Sequence, residues 1–95
     1  MDLATPVVLS GDLDQYMAES LKEQLLASLS TPEAEPLLDM TAVEHIDACA
    51  LQVLLTFKAG LKQDKLRING ADASIQQWIR IAGAGEFFEF SGMNS

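Results

Sequence analysis

Short strand patterns alternate with helical patterns three times along this 95-residue chain. A β-branched and aliphatic run is followed each time by apolar residues at helical spacing. The predicted strands are 6–10, 36–40 and 65–69, and the predicted helices begin near 14, 48 and 74. This alternation predicts parallel strands joined by right-handed helical crossovers, which is an α/β fold. A chain of this length can bury one core, so we expect a single domain over residues 1–95.

The first helix is predicted from apolar residues at fourfold spacing. Asp14 can serve as its N-cap, and the helix should run for about four turns. Its apolar stripe contains Met17, Leu21, Leu25 and Leu29, widened by Ala18 and Leu26. Ser30–Pro36 contains two prolines and no periodicity, which predicts a connecting loop. After the second strand, we expect a turn over Thr41–Asp47.

The second helix is predicted over Ala48–Gln63, with Asp47 as its N-cap. At about 100° per residue, one broad face is apolar. That face contains Ala50, Leu51, Leu54, Phe57 and Leu61. The opposite, polar strip contains Cys49, Gln52, Thr56 and Gln63, with Val53 and Leu55 along its margins. The single cysteine is therefore expected on the exposed side of the helix.

The third helix is indicated by apolar residues at i, i+3, i+4 and i+7. Ser74 is the predicted N-cap and Gly83 the C-terminal stop. The apolar positions are Ile75, Trp78, Ile79 and Ala82. The final EFFEF segment fits either a last strand or an aromatic tail packed on the core.

Composition and charge exclude several classes of function. A formal charge of −8, from six basic and fourteen acidic residues, disfavours binding to a nucleic-acid backbone. Four basic residues within 58–67 form either a solvated edge or a docking surface for a protein. One cysteine cannot form an internal disulfide, so we expect a reducing compartment, the cytoplasm. No segment has the pattern of an export signal or a membrane span.

The residue types offer no convincing catalytic or metal-binding set. A Cys49 nucleophile would depend on His45, the only histidine, and no third orienting group is evident. Glu44, His45, Asp47 and Cys49 lack the repeated ligand spacing of a zinc site. The carboxylates Asp12, Asp14, Asp39 and Asp47 stand where caps and turns are expected. We therefore predict no enzyme activity, no metal and no cofactor.

Three segments together resemble the STAS family, the domain of bacterial anti-sigma factor antagonists. VVLSGDLD at 7–14 resembles its strand and acidic element, and LRINGADASIQQWIRIAGAGEFFEF at 66–90 resembles its ending. PLLDMTAVEHIDACALQVLL at 36–55 is similar to the family's strand–Asp–loop–I-D-S-S-G-L-x-x-L-L signature. The resemblance implies a mixed, mostly parallel sheet with three to four packed helices. It also implies one edge strand more than the N-terminus has room for, which leaves the oligomeric state open.

The resemblance further implies a protein that binds a protein partner without catalysing a reaction. In switching members a partner kinase phosphorylates the second serine of the motif; here Ala48 and Cys49 take the two serine positions, so that switch should be absent. The expected contact residues, at the start of the second helix and the loop near it, are Asp12, Asp14, Asp47, Ala48, Cys49, Gln52, Val53 and Thr56. The partner would be an anti-sigma factor or kinase-like protein.

Two other functions remain open on the sequence. Some STAS proteins without the phosphorylated serine are small subunits bound to the ATPase of a phospholipid-asymmetry ABC transporter, or belong to chemotaxis gene clusters. A thiol-based sensor centred on Cys49 is the alternative from a different class.

Overall fold

The computed structural model describes residues 6–29, 36–61 and 64–91 of the chain. Helices and strands alternate in the predicted order, and a short 3-10 helix and a further strand follow the third helix. The elements are β1 (Val7–Leu13), α1 (Ala18–Ala27), β2 (Leu37–Ile46), α2 (Ala48–Ala59), β3 (Leu66–Asn69), α3 (Ala73–Ile81), the 3-10 helix Gly85–Phe87 and β4 (Phe88–Ser91).

The described strands form one four-stranded sheet in the order β1-β2-β3-β4. All three neighbouring pairs are parallel; for example, Leu38 lies beside Val7 on β1 and Ile68 on β3. The predicted α/β class with a mostly parallel sheet is confirmed. The last three residues of the EFFEF segment form a strand, because β4 pairs with β3 from Phe88 to Ser91, whereas Glu86 and Phe87 lie in the 3-10 helix.

The core lies between the sheet and the helices. In β3, Leu66 and Ile68 are buried and Arg67 between them is exposed, as the period of two requires. In β2 the spacing of the buried residues changes from two to three after Met40. The strands contribute Leu9, Leu13, Leu38, Met40, Val43, Ile46, Leu66, Ile68 and Phe88, and the helices contribute Leu21, Leu25, Ala50, Leu51, Leu54, Phe57, Ile75 and Ile79. Each large side chain buried in this way stabilises the fold by about 1.5–3 kcal/mol before conformational entropy is counted.

The first two strands are longer than the sequence predicts. β1 continues past Ser10 to Leu13, and β2 continues to Ile46, so the predicted turn over Thr41–Asp47 is wrong. The parallel pairing of β1 with β2 reaches Leu13 opposite Ile46, with irregularities in register along the way. Gly11, at φ 73°, accommodates one of these irregularities inside a strand. Pairing with β1 therefore makes 41–46 a strand, although its local sequence predicts a turn.

The first helix is shorter than predicted and begins later. Asp14 is not its N-cap; Met17 occupies that position without a side-chain hydrogen bond. Leu21 and Leu25 are buried as expected, but Leu26 is 54% exposed and does not widen the core stripe. Of the predicted loop over Ser30–Pro36, residues 30–35 lie outside the described residues. In the second helix, α2 ends at Ala59, and the predicted end at Gln63 also lies outside the described residues.

The third helix begins from Asp72 and not from Ser74. The Asp72 Oδ1 atom accepts hydrogen bonds from the Ser74 backbone N–H at 2.7 Å and the Ser74 hydroxyl at 2.9 Å. The backbone N–H of Ser74 thereby holds the pKa of the Asp72 carboxyl below its usual value. Ile75 and Ile79 are buried, whereas Ala82, predicted on the apolar face, is exposed. Gly83 ends the helix region at φ 85°, as expected of a C-terminal glycine.

Candidate functional site

The start of α2 is fixed by four hydrogen bonds of Asp47. Its backbone N–H donates to the carbonyl of Leu13 at 3.0 Å, and its carbonyl accepts from the N–H of Leu51 at 3.0 Å. Its Oδ1 atom accepts from the N–H of Ala50 at 3.0 Å, which confirms the predicted N-cap. Its Oδ2 atom accepts from the N–H of Gln15 at 3.0 Å. One half-buried residue therefore joins the ends of β1 and β2, the β1–α1 turn and α2.

The β1–α1 turn is ordered by Asp14, which lies three residues before Met17, the N-cap of α1. Its Oδ1 atom accepts from the backbone N–H of Tyr16 at 3.0 Å and of Met17 at 3.2 Å. In this turn Tyr16 is 84% exposed, and it follows Gln15, whose backbone N–H donates to Asp47. Neither the exposed Tyr16 nor the Gln15 contact has a signal in the sequence, since both depend on where the turn lies relative to α2.

The exposed side of α2 is the predicted polar strip. Cys49, Gln52 and Thr56 are exposed and Val53 is half-buried, while Ala50, Leu51, Leu54 and Phe57 face the core. The sorting by helical angle is confirmed for these residues. Ala48 is exposed at the first turn, and Thr56 lies about 12 Å further along the helix axis. We name the exposed residues Ala48, Cys49, Gln52 and Thr56, with Val53, the α2 strip.

Asp12 and His45 form a pair at the end of the β1–β2 ladder. They are register partners, and His45 Nδ1 lies 3.1 Å from Asp12 Oδ1. Both side chains are largely exposed, so this contact adds little stability. The imidazole is therefore engaged with Asp12, and in the described part of the chain no hydrogen bond joins it to the Cys49 thiol. Exposure of the thiol alone does not make a catalytic dyad.

Metal sites and membrane-spanning helices are two further features that a chain of this size can contain. Among residues 6–29, 36–61 and 64–91, no three His, Cys, Asp or Glu side chains come together as metal ligands would. Within the same ranges, no helix has the length and hydropathy needed to cross a membrane.

A groove between α1 and α2 is the feature that the sequence did not predict. It encloses about 420 Å³ and is bordered mainly by Leu25, Leu26, Leu29, Val53 and Phe57. We call it the α1–α2 groove. Two features of the sequence point towards this groove: Leu26 lies at the edge of the apolar stripe of α1, and Val53 lies beside the polar strip of α2. Neither reveals a groove without the packing of the two helices.

Replacing Asp47 with alanine should lower the free energy of unfolding by about 1–2 kcal/mol, because the N-cap bond to Ala50 and the link to Gln15 are both lost. Asp47→Asn keeps a capping oxygen for Ala50 and presents an amide group to Gln15, so it should lose about half as much. Urea unfolding at neutral pH measures the free energy of unfolding of both variants. An alanine variant as stable as the wild type would show that Asp47 does not hold this end together.

The fold and the α2 strip define a small α/β domain with an exposed helix start and, among the described residues, no cluster of metal-ligating side chains. Residues 2–90 match the family model described as "Mlab, STAS domain". The match covers most of the chain, and the protein belongs to the STAS family. A search of curated proteins finds no match to the chain. STAS domains are generally non-enzymatic and mediate contacts between proteins.

Proposed function

We propose that this protein is a cytoplasmic regulatory STAS domain that binds a protein partner through the α2 strip, in the manner of an anti-sigma factor antagonist. The observation that carries the proposal is the α2 strip itself. Cys49 and Gln52 are exposed at positions of the family motif, while the opposite side of the same helix is buried in the core. Asp12, Asp14 and Asp47 adjoin the strip, with Asp47 fixing its start.

A rigid, accessible helix start suits recognition by a partner. Asp47 uses both carboxylate oxygens on backbone N–H groups, so its main contribution is to position Ala48 and Cys49. A contact surface that is already ordered loses little conformational entropy when the partner binds. In this proposal Cys49, Gln52, Val53 and Thr56 make the contact, and the carboxylates of Asp12 and Asp14 guide a basic partner surface.

The double variant Cys49→Arg plus Gln52→Glu should weaken partner binding by at least about tenfold, because two bulky charged groups enter the centre of the contact. A matched control places the same two side chains on the exposed surface of α3, as Ala73→Arg plus Gln77→Glu. Tagged wild-type, α2 and α3 variants are used to capture proteins from the protein's own host cell, and recovery is quantified by mass spectrometry. Equal recovery of every specific partner by all three would exclude the α2 strip as the interface.

Residue 49 should carry no phosphate after incubation with kinases of the host cell. Ala48 has no hydroxyl, and a thiol is not the acceptor of a serine kinase. Intact-mass measurement before and after incubation tests this, with Cys49→Ser as the variant that restores the hydroxyl. A phosphate mapped to position 49 of the wild type would contradict this prediction and show that the residue can still act as a phosphorylation switch.

A second candidate is a constitutive subunit, bound to a transporter ATPase or serving as an adaptor in a chemotaxis cluster. The observation that favours it is the lack of a hydroxyl at positions 48 and 49, since a permanent subunit needs no phosphorylation switch. The genes beside this one distinguish the candidates. Sigma-factor regulators would support the first, and transporter ATPase or chemotaxis genes would support the second.

A further inference from the structure

We propose that the α1–α2 groove receives the apolar side chains of an amphipathic helix from the protein partner, and that this helix is basic at the end near the start of α2. The inference rests on the proposed function. It goes further by specifying which kind of partner segment binds and where on this protein that segment is anchored. It rests on the position of the groove, on its apolar lining and on the charges near the start of α2.

The groove is continuous with the α2 strip. Gln52, Val53 and Thr56 belong to the strip and also line the groove. A partner that contacts Cys49 and continues along α2 therefore reaches the groove without leaving the surface. From Asp47 to Phe57 the helix axis rises about 15 Å, a distance that about three turns of a partner helix would cover.

The groove has the chemistry of an anchoring site for apolar side chains. Leu25 and Phe57 are buried and form its base, whereas Leu26, on its border, is 54% exposed. Covering a leucine that water still contacts gives a favourable free energy, because apolar surface is removed from water. Lys22 borders the groove and can lay its aliphatic chain along this surface while its ammonium group stays in water. An amphipathic helix presents apolar residues at i, i+3, i+4 and i+7, which is the arrangement a groove between two helices accepts.

Charge decides the composition of the partner helix. Three carboxylates, those of Asp12, Asp14 and Asp47, lie near the start of α2; His45 already pairs with Asp12, and Lys22 is the cation on the border of the groove. A partner helix with lysine or arginine at this end would meet opposite charge, while an acidic one would be repelled. The groove itself is apolar apart from its border. The complementary segment is therefore basic at one end and aliphatic or aromatic along the side that enters the groove.

Site-specific photo-crosslinking tests the inference separately from the proposed function. A photoreactive benzoylphenylalanine replaces Gln52 in the α2 strip, Leu26 in the groove, or Ile81, which is 77% exposed on α3. Each variant is expressed in the protein's own host cell, irradiated, and its crosslinked peptide is sequenced by mass spectrometry. We expect positions 52 and 26 to crosslink to one partner, through a segment with apolar residues at helical spacing and basic residues at one end. Position 81 should not crosslink to it.

The affinity of the captured segment gives the quantitative test. The segment is synthesised as a peptide, and its helicity and its dissociation constant are measured with purified full chain. Leu26→Glu should weaken binding by at least about tenfold, since it places a carboxylate among apolar side chains. Ile81→Glu makes a matched change on α3 and should change the affinity by no more than about twofold. If Leu26→Glu does not fold, Leu26→Gln provides the same test without a charge.

The outcomes separate the two proposals. If position 52 captures a partner and position 26 captures nothing, the proposed function stands and the groove inference is overturned. Crosslinking of position 26 to a lipid, to a second copy of this chain or to an acidic or non-helical segment also overturns it. If neither position captures a partner, the proposed function fails together with the inference.

Discussion

Phe57→Ala should lower the free energy of unfolding by about 3–5 kcal/mol, because it removes an aromatic ring from the core. Phe57 is 8% exposed, packs in the core beneath α2 and also borders the α1–α2 groove. Removing its ring deletes core contacts and enlarges the space beside it. A chain of 95 residues has a total stability of about 5–14 kcal/mol, so much of it would be lost.

Urea unfolding followed by tryptophan fluorescence measures the change, because Trp78 is the only tryptophan and is half-buried. Phe57→Leu fills part of the space and should cost about half as much. The alanine variant should also bind the partner more weakly, since part of the base of the groove is removed. A Phe57→Ala protein as stable as the wild type would show that the ring does not pack in the core as described.

Gly70→Ala should lower the free energy of unfolding by about 2–4 kcal/mol, from two separate causes. Gly70 follows β3 at φ 80°, where an L side chain is strained. A Cβ there would also overlap Thr41 Oγ1 and lie 3.2 Å from Thr41 Cα. Thr41 cannot easily move away, because its N–H donates to Asp39 Oδ1 at 3.0 Å, a bond that also lowers the pKa of the Asp39 carboxyl. The clash therefore adds to the backbone strain.

Gly83→Ala is the matched control for Gly70→Ala. Gly83 has nearly the same backbone, at φ 85°, but a Cβ there would meet nothing within 4 Å. This variant should show only the strain of positive φ, about 1–2 kcal/mol. Thermal unfolding of both variants gives the comparison. Equal losses at the two glycines would contradict a clash with Thr41.

The order of the elements could be predicted because each has a strong local signal. The period of α3 and the polar and apolar sides of α2 follow from residue spacing alone, and the structure has both. The length of β2 could not be predicted in the same way. Thr41 to Ile46 reads locally as a turn, and it is a strand because β1 runs beside it. Strand ends depend on partners distant in the sequence.

The candidate site could likewise be predicted from the sequence only in part. The exposure of Cys49 and the capping role of Asp47 were predictable, since both follow from the helix that contains them. The bond from Gln15 to Asp47 was not, because it joins the β1–α1 turn to the N-cap of α2, 32 residues further along the chain. The α1–α2 groove also needs the packing of two helices. Sequence therefore identified the residues of α2 and missed the surfaces made between elements.

The parallel sheet also has a consequence for the order in which the chain acquires its binding surface. Every described strand pair joins segments separated by a whole helix or more, such as Val7 with Leu38, so no local hairpin can nucleate this sheet. The start of α2 is fixed only when Asp47 reaches Leu13 and Gln15, which lie at the other end of such a long-range pairing. Until that pairing forms, the first turn of α2 is not held in place. Recognition by a partner would thus distinguish the finished protein from its folding intermediates.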